Sequence, residues 1–362
     1  MLITFFLIDD ALPTLGFEHH LWRFASVPEY IYSDIAQYGP FSDSIFFYLL
    51  FWSCLAFPML IVAGTLTSRG FDTRFLTRIK NAYKHMSKGC SLAVVIGFVG
   101  AVSLGSFIFY NTTILNAFES SERVAVKQVE YEEKYKVFAA TQQPKIVDIK
   151  LDIDLFPKER GFKVKGTLTL KNKHAKSIDE LFIQMPMDHA LLEINFNKPV
   201  TELETDAFHG VYRVKLDSTL APQDSLQFNY QFEVKSRGFK DRAEVTQLVE
   251  NGTFLNNRFV LPIIGYDASK ELKDSARRKQ YHLPQQPRIA SLDSLAARRF
   301  NVVSHDADWV DFECTISTVN DQIALSAGEL IDHWERMTDA IFVIKPPIRR
   351  SNIFRLYQRV TR

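Results

Sequence analysis

The sequence predicts a membrane-anchored protein with two transmembrane α-helices, a helical stalk and an all-β extracytoplasmic domain. Three observations predict this arrangement. Two long runs in the first third of the chain contain no charged residue, a short basic loop separates them, and the chain from residue 145 onward alternates apolar and polar residues. The 362 residues carry a net charge of +1, and no basic tail is present, so nothing indicates binding to nucleic acid.

The two uncharged runs, residues 44–66 and 91–110, are each long enough to cross a bilayer as a helix. A helix is required there because lipid cannot satisfy backbone N–H and C=O groups. The alternative is a pair of buried helices in a large soluble core. The closeness of the two runs in sequence favours a lipid bilayer as the partner.

Charge sets the predicted orientation. The loop 67–90 contains one acidic residue, Asp72, and six basic residues, which are Arg69, Arg74, Arg78, Lys80, Lys84 and Lys88. Basic residues in short loops remain cytoplasmic. The segment 1–43 is acidic and is therefore predicted to lie outside, with residues 1–8 as the stump of an earlier span. We expect a bacterial inner (plasma) membrane protein whose β-domain lies on the periplasmic side.

The second predicted span has small residues at steps of four, namely Ala93, Gly97, Ala101 and Gly105. Small residues on one face allow two helices to approach closely, which predicts packing against another transmembrane helix. The alternative is that Gly and Ala are simply common in membrane helices. The sequence does not decide between the two.

Residues 111–144 are predicted to form a stalk helix, because favourable Glu130–Lys134 and Glu132–Lys136 pairs accompany a narrow apolar stripe. A solvated helix resting on its neighbours is the preferred interpretation. From residue 145 to 336 the period changes to two, as in KIVDIKLDIDLF, which predicts antiparallel strands in a sandwich-like or saddle-like domain. A short charged helix is predicted at 269–282.

Several segments resemble a known family. The stretch LGFEHHLWRF…YSDIAQYGPF, the later YNTTILN and YEEKYK, and the pair VENGTFLNNRFVLPIIGYD and ELKDSARRKQYHLP resemble bacterial proteins in which an ABC-transporter-type permease is fused to an aminopeptidase N family zinc metallopeptidase. The resemblance implies that this chain holds the last membrane spans and the non-catalytic N-terminal β-domain of such a protein, ending before the catalytic domain.

The zinc chemistry of that family has no counterpart here. The family binds zinc through HExxH and a later Glu, and it holds the substrate amino group through a GxMEN-type element. Neither motif occurs in the sequence. The adjacent His19 and His20, and His189 with Glu193, are interpreted as surface or satisfied core residues. No catalytic residue, metal ligand or cofactor is therefore assigned to this chain, and zinc is expected only in full-length relatives.

The last 26 residues, 337–362, depart from the family pattern and are basic. One permitted choice of codons for this stretch, read one nucleotide out of frame, encodes a continuation that resembles the family. This suggests that a frameshift has truncated the open reading frame. The DNA sequence past the stop codon decides this hypothesis, because an alternative frame should encode HExxH.

The sequence thus predicts a membrane-tethered, non-catalytic, truncated portion of an aminopeptidase-like permease fusion, with the lipid bilayer, other permease helices or a missing catalytic domain as partners. The alternative is an extracytoplasmic binding or adaptor module attached to an ABC-type permease complex. A transport ATPase is disfavoured because no GxxxxGK[ST] loop occurs.

Overall fold

The structure is a computed structural model, and it divides into two compact units. It describes residues 2–32, 34, 37–67, 86–186, 190–242, 248–287, 290–291, 293–295, 309–336, 339–346, 350–351 and 355–360. Unit 1 comprises Met1–Ser120 and Arg237–Val245, and unit 2 comprises Ser121–Ser236 and Thr246–Arg362. A short segment after residue 236 therefore belongs to unit 1, although the chain on both sides of it belongs to unit 2.

Unit 1 is helical. Its helices are α1 (Leu2–Ala11), α2 (Ser42–Leu66) and α3 (Lys88–Phe109), and α3 continues into a π-helical turn at Tyr110–Leu115. Helix α2 and the combined segment Lys88–Leu115 are long and apolar enough to span a membrane. Helix α2 begins two residues before the predicted span, and α3 begins three residues before it. The basic loop residues Arg69 to Lys84 lie outside the described residues, and Lys88 is the first residue of α3.

Helices α2 and α3 contact each other through small residues. The Cα of Gly97 lies so close to Pro58 that an added Cβ would stand 2.3 Å from the Pro58 Cγ. An added Cβ at Gly105 would stand 3.1 Å from the Phe51 ring, and Ala101 between them is buried. Ala93, one turn earlier, is half-buried. The close approach therefore requires residues without a Cβ at two of these positions.

Unit 2 is β-rich, with three sheets. Its strands are β1 (Lys145–Phe156), β2 (Gly161–Lys171), β3 (Ile178–Gln184), β4 (Ala190–Phe196), β5 (Val200–Asp206), β6 (Val211–Leu220), β7 (Ser225–Lys235), β8 (Phe254–Asn256), β9 (Ile263–Ile264), β10 (Trp309–Val319), β11 (Gln322–Leu325), β12 (Glu329–Arg336), β13 (Asp339–Lys345), β14 (Arg350–Ser351) and β15 (Arg355–Val360). The largest sheet has the order β12-β13-β10-β1-β2-β7-β4, with β14 paired to β10. The smaller sheets are β5-β6-β3-β9 and β11-β15-β8.

The large sheet is mixed, whereas the sequence predicted antiparallel strands throughout. Strands β1 and β10 are parallel, with Leu151 opposite Cys314. The two strands are far apart in sequence, so the long connection that a parallel pair needs is available. Alternation could not reveal this, because it sets which face a residue points to and not the direction of its neighbour. A bulge at Ile146–Asp148 also buries Ile146 where Val147 was expected.

The predicted stalk 111–144 is not one helix: its first ten residues belong to unit 1, and the rest belongs to unit 2. Helix α4 runs only from Ser121 to Tyr135 and is followed by a 3-10 turn at Lys136–Ala140. Tyr131 and Tyr135 are buried, as is Glu132. The helix is therefore packed rather than solvated, because its apolar stripe finds aromatic partners in the β-rich unit.

Two further segments differ from the expected pattern. The predicted helix 269–282 is reduced to a 3-10 turn and to α6 (Ser275–Gln280), which Asp274 caps by accepting from the Arg277 N–H at 2.7 Å. A short helix, α5 (Asn257–Val260), precedes it. Part of the tail 337–362 forms β13, a strand between β10 and β12 whose Phe342 is buried. The frameshift hypothesis remains a prediction.

The close contact at Gly97 predicts a specific sensitivity. We expect Gly97→Ala to lower the free energy of unfolding by about 1–3 kcal/mol, because the new methyl group forces Pro58 and Gly97 apart. Gly64→Ala in α2 is the matched control, since nothing lies within 4 Å of its added Cβ. The midpoints of thermal unfolding in detergent measure both effects. Equal midpoints for the two variants would contradict the close packing.

Candidate functional site

A buried polar cluster in unit 1, here called the Asp241 cluster, consists of His19, His20, Tyr48, Thr112 and Asp241. The Asp241 side chain is fully buried, and its carboxylate accepts hydrogen bonds from the backbone N–H of His20 at 3.2 and 3.3 Å and from the hydroxyl of Tyr48. The imidazoles of both histidines face the same carboxylate, with Nδ1 atoms 3.3 and 3.1 Å from its oxygens. The cluster thus concentrates one negative charge and two titratable rings in a small buried volume.

Hydrogen bonds determine the protonation of His19. Its Nδ1 accepts from the N–H of Leu21 at 3.1 Å, so the ring proton lies on Nε2, which donates to Thr112 Oγ1 at 2.9 Å. Thr112 in turn donates to the carbonyl of Ile108 at 2.8 Å. Burial lowers the pKa of His19 in spite of the opposing charge of Asp241. His19 is therefore neutral, and its ring contributes hydrogen bonds and not a positive charge.

Asp241 keeps its charge in this environment. Burial by itself would raise the pKa of Asp241, but His20 and His19, which face the carboxylate, and the hydrogen bond from Tyr48 lower it below its ordinary value. An ionised carboxylate without such partners would be strongly destabilising when buried. The arrangement therefore holds a buried carboxylate among hydrogen-bond donors and imidazole rings; it does not expose a reactive group.

A second buried cluster lies in unit 2 and is here called the Glu132 cluster. Glu132 on α4 accepts two hydrogen bonds of 2.7 Å from the guanidinium of Arg278 on α6, and both side chains are almost fully buried. Burial would raise the pKa of Glu132, but the hydrogen bonds from Arg278 and Lys136 lower it. Glu271 completes the group by accepting from the Tyr266 hydroxyl at 2.9 Å.

Aromatic contacts extend this cluster. The ring of Tyr131 stacks on Tyr266 at 5.3 Å, and its hydroxyl accepts a hydrogen bond from the backbone N–H of Asp267 at 3.0 Å. Arg278 also donates to the carbonyls of Leu272 and Pro284. The chain segments 131–136, 266–272 and 278–284 therefore close on one another around a satisfied ion pair.

The large sheet has one polar face, which borders a cavity of about 480 Å³. Its lining includes Lys150, Asp152, Lys165, Glu193 and Glu313, together with amide and hydroxyl side chains. Charges of both signs are mixed on this face, and Thr167 donates to Asn229 Oδ1 at 2.7 Å. A mixture of this kind is typical of a solvated sheet face, and no convergent reactive group is present among these residues.

The residues that the structure describes do not fit the zinc site of the resembling family. No group of three or more His, Cys, Asp or Glu side chains among them is placed to hold a metal ion. His189 lies outside the described residues, and Glu193 is exposed. No reaction step through a metal is therefore derived for this chain.

Sequence reasoning placed some of these residues and missed others. His19 is a satisfied core residue, in line with its interpretation, but its role as a partner of Asp241 was not foreseen. Tyr48 and Asp241 are 193 positions apart and lie in segments with no shared motif. The Arg278–Glu132 pair spans 146 positions. The sequence offered one signal for such residues, a charge within an otherwise apolar or helical pattern. That signal does not identify the residue with which the charge pairs.

The protonation of His19 predicts a pH dependence. Because its pKa is lowered in the folded state, stability is present above the ordinary value of 6.5 and falls as acid protonates the unfolded chain first. The lowered pKa of Asp241 adds a further loss at lower pH. We expect the thermal unfolding midpoint in detergent to fall between about pH 7.5 and pH 5.5.

His19→Gln should reduce that pH dependence, and the exposed His333→Gln, on strand β12, should leave it unchanged. If His19→Gln retains the full fall of the midpoint, the neutral state of His19 does not contribute to stability.

The likeness of this chain to known proteins is weak. No model of a known protein family matches the chain, and no curated protein matches it. Among solved structures, a point mutant of a two-domain M1 zinc metallopeptidase bound to L-tryptophan is 9% identical at a TM-score of 0.37, covering 60% of this chain and 43% of that one. An M1 zinc metallopeptidase from Deinococcus radiodurans is 10% identical at a TM-score of 0.37, covering 60% and 42%. This chain spans less than half the length of either, and at this TM-score the likeness decides neither its fold nor its activity.

Proposed function

We propose that this chain is the membrane-tethered, non-catalytic portion of an aminopeptidase-like permease-fusion protein. Helices α2 and α3 anchor it in the membrane, and unit 2 lies outside the cytoplasm. Unit 2 serves as the β-domain on which a zinc-binding catalytic domain would rest. The chain by itself performs no peptide hydrolysis.

One observation carries the proposal. The segments on which the family resemblance rests supply several residues of the two buried clusters, although Tyr48 and Asp241 come from other parts of the chain. In unit 1, LGFEHHLWRF supplies both histidines, and YNTTILN supplies Thr112. In unit 2, YEEKYK supplies Tyr131 and Glu132, and the two later segments supply Tyr266 and Arg278. The segments that resemble the family thus contribute buried, hydrogen-bonded residues to both units.

The exposed surface of the helices supports the membrane placement. Along α2, large apolar side chains are exposed at Phe46, Leu49, Phe57, Met59 and Leu60. Along α3, the exposed apolar residues are Leu92, Val95, Ile96, Phe98, Val99 and Val102. A soluble protein rarely exposes an apolar surface of this extent, whereas lipid covers it without cost. The basic loop between the helices assigns the cytoplasmic side.

An adaptor function is the second candidate. The edge strand β12 exposes Leu330, Ile331 and Trp334, with exposed fractions of 57%, 61% and 42%. An apolar edge of this kind is a surface for a partner. The same surface is also open to a catalytic domain of a longer relative, so the strand favours a partner without naming one.

Cysteine labelling tests the proposed orientation. In a variant without native cysteines, Glu159→Cys in the exposed turn after β1 should react with a membrane-impermeant maleimide on intact spheroplasts. Gly89→Cys, next to the basic loop, is the matched control, since its position is exposed and should react only after permeabilisation. Labelling of Gly89→Cys but not Glu159→Cys in intact cells would reverse the topology.

Activity and co-purification separate the two candidate functions. The purified chain with zinc should leave an aminoacyl-naphthylamide intact, because the sequence has no HExxH. An adaptor should instead co-purify from detergent extracts with a defined membrane partner. The variant Ile331→Asp, on the exposed strand, should then lose that partner. Chelator-sensitive hydrolysis by the chain alone would contradict the non-catalytic assignment.

A further inference from the structure

The Asp241 cluster indicates which part of α2 lies outside the hydrocarbon core of the membrane. Asp241 carries a charge and faces the imidazole of His20 at 3.1 Å, and Tyr48 donates to the same carboxylate. A charged group in the centre of a bilayer is costly, and it belongs at or above the polar boundary. The first turns of α2, from Ser42 to Tyr48, therefore lie outside the hydrocarbon.

The end of α3 gives the same level independently. Thr112 is buried in the π-helical turn and is bonded to His19, and Asn111 beside it is also buried. Between Lys88 and Ile108, α3 rises by about 30 Å at ~1.5 Å per residue. That length matches a hydrocarbon core of roughly 30 Å. The polar boundary thus falls close to Ile108 on α3 and to Tyr48 on α2.

The chain segment 20–27 packs against α2 just below this level. The indole N–H of Trp52 donates to the carbonyl of Ser26 at 2.7 Å, and the ring of Phe24 meets Trp52 edge-on at 5.3 Å. Leu21 and Val27 pack on the same apolar cluster. Trp52 lies one helical turn beyond Tyr48, about 6 Å deeper along the axis. The segment therefore runs beside the point at which α2 passes from polar to apolar surroundings.

Two aromatic side chains of this segment are exposed, although Phe24 also contacts Trp52. Trp22 is 66% exposed and Phe24 is 43% exposed. Tryptophan is enriched where membrane and water meet, because its ring is apolar and its N–H is polar. In water, the rings of Trp22 and Phe24 would be exposed to solvent beside the exposed apolar surface of α2.

We propose that the segment 20–27 lies in the headgroup region of the extracytoplasmic leaflet, with Trp22 and Phe24 inserted at the lipid boundary. The hydrocarbon core then begins near Tyr48, about one turn later than the predicted start at residue 44. This inference rests on the membrane placement under the proposed function. It adds a lipid-binding surface and a depth to that placement.

The chemistry of the segment selects a zwitterionic lipid. Residues 1–43 contain six acidic residues, which are Asp9, Asp10, Glu18, Glu29, Asp34 and Asp43. The one Arg of the segment, Arg23, is paired with Asp9 at 3.1 Å. Arg23 is therefore not free to bind an anionic headgroup, and insertion of the segment depends on apolar burial. Depth should not increase when anionic lipid or low salt is used.

Depth-dependent quenching of tryptophan fluorescence tests the inference. The full chain is reconstituted into phosphatidylcholine vesicles that carry bromine either near the headgroup end of the acyl chain or near the terminal methyl. The chain has four tryptophans, and Trp22→Phe removes only the one in question, leaving the Trp52–Ser26 hydrogen bond intact. The difference between wild type and Trp22→Phe is the signal of Trp22.

We expect that difference to be quenched at least about twofold more by shallow than by deep bromine, as for an interfacial ring. A Trp22 signal that neither lipid quenches overturns the inference. A Trp22→Phe protein whose remaining Trp52 is also unquenched overturns the membrane placement itself. The variant Trp52→Phe, in which the Ser26 bond is lost, should weaken shallow quenching of Trp22, and unchanged quenching would show that Trp52 does not position the segment.

Discussion

The buried carboxylate of Asp241 is the constraint on which the arrangement of unit 1 depends. Its charge has to be matched where water cannot reach it, and His20, Tyr48 and the backbone N–H of His20 do so together. Those partners come from the N-terminal segment and from α2, and Asp241 itself comes from the segment after residue 236. One ionised group therefore fixes three stretches of chain that are remote in sequence.

Unit 2 uses the same physical device at a different place. Glu132 and Arg278 form a buried ion pair joined by two hydrogen bonds. The backbone carbonyls of Leu272 and Pro284 accept the remaining guanidinium hydrogens. Replacement of such a pair by apolar residues is often harmless, whereas removal of one partner is strongly destabilising. The pair thus specifies how α4 and the segment around α6 meet, more than it adds to the net stability of unit 2.

The β-rich unit shows how a close approach is built into a sheet. Gly166 on β2 lies opposite Tyr230 on β7, and an added Cβ would stand 2.2 Å from the tyrosine ring. The ring covers the glycine, and its hydroxyl donates to the carbonyl of Val260 at 2.7 Å. The sheet thereby gains a bond to α5 at the position where the strand lacks a side chain.

Sequence alone determined the two long apolar helices and four of the strands, because these depend on local patterns. Uncharged runs predicted α2 and α3, and alternation predicted β1, β2, β7 and β10 close to their observed bounds. Tertiary structure decided the parallel pairing of β1 with β10, the burial of α4 and the partners of Asp241 and Glu132. Periodicity reports which face of an element is apolar. It carries no information on which distant residue neutralises a buried charge, and only the folded chain brings such partners together.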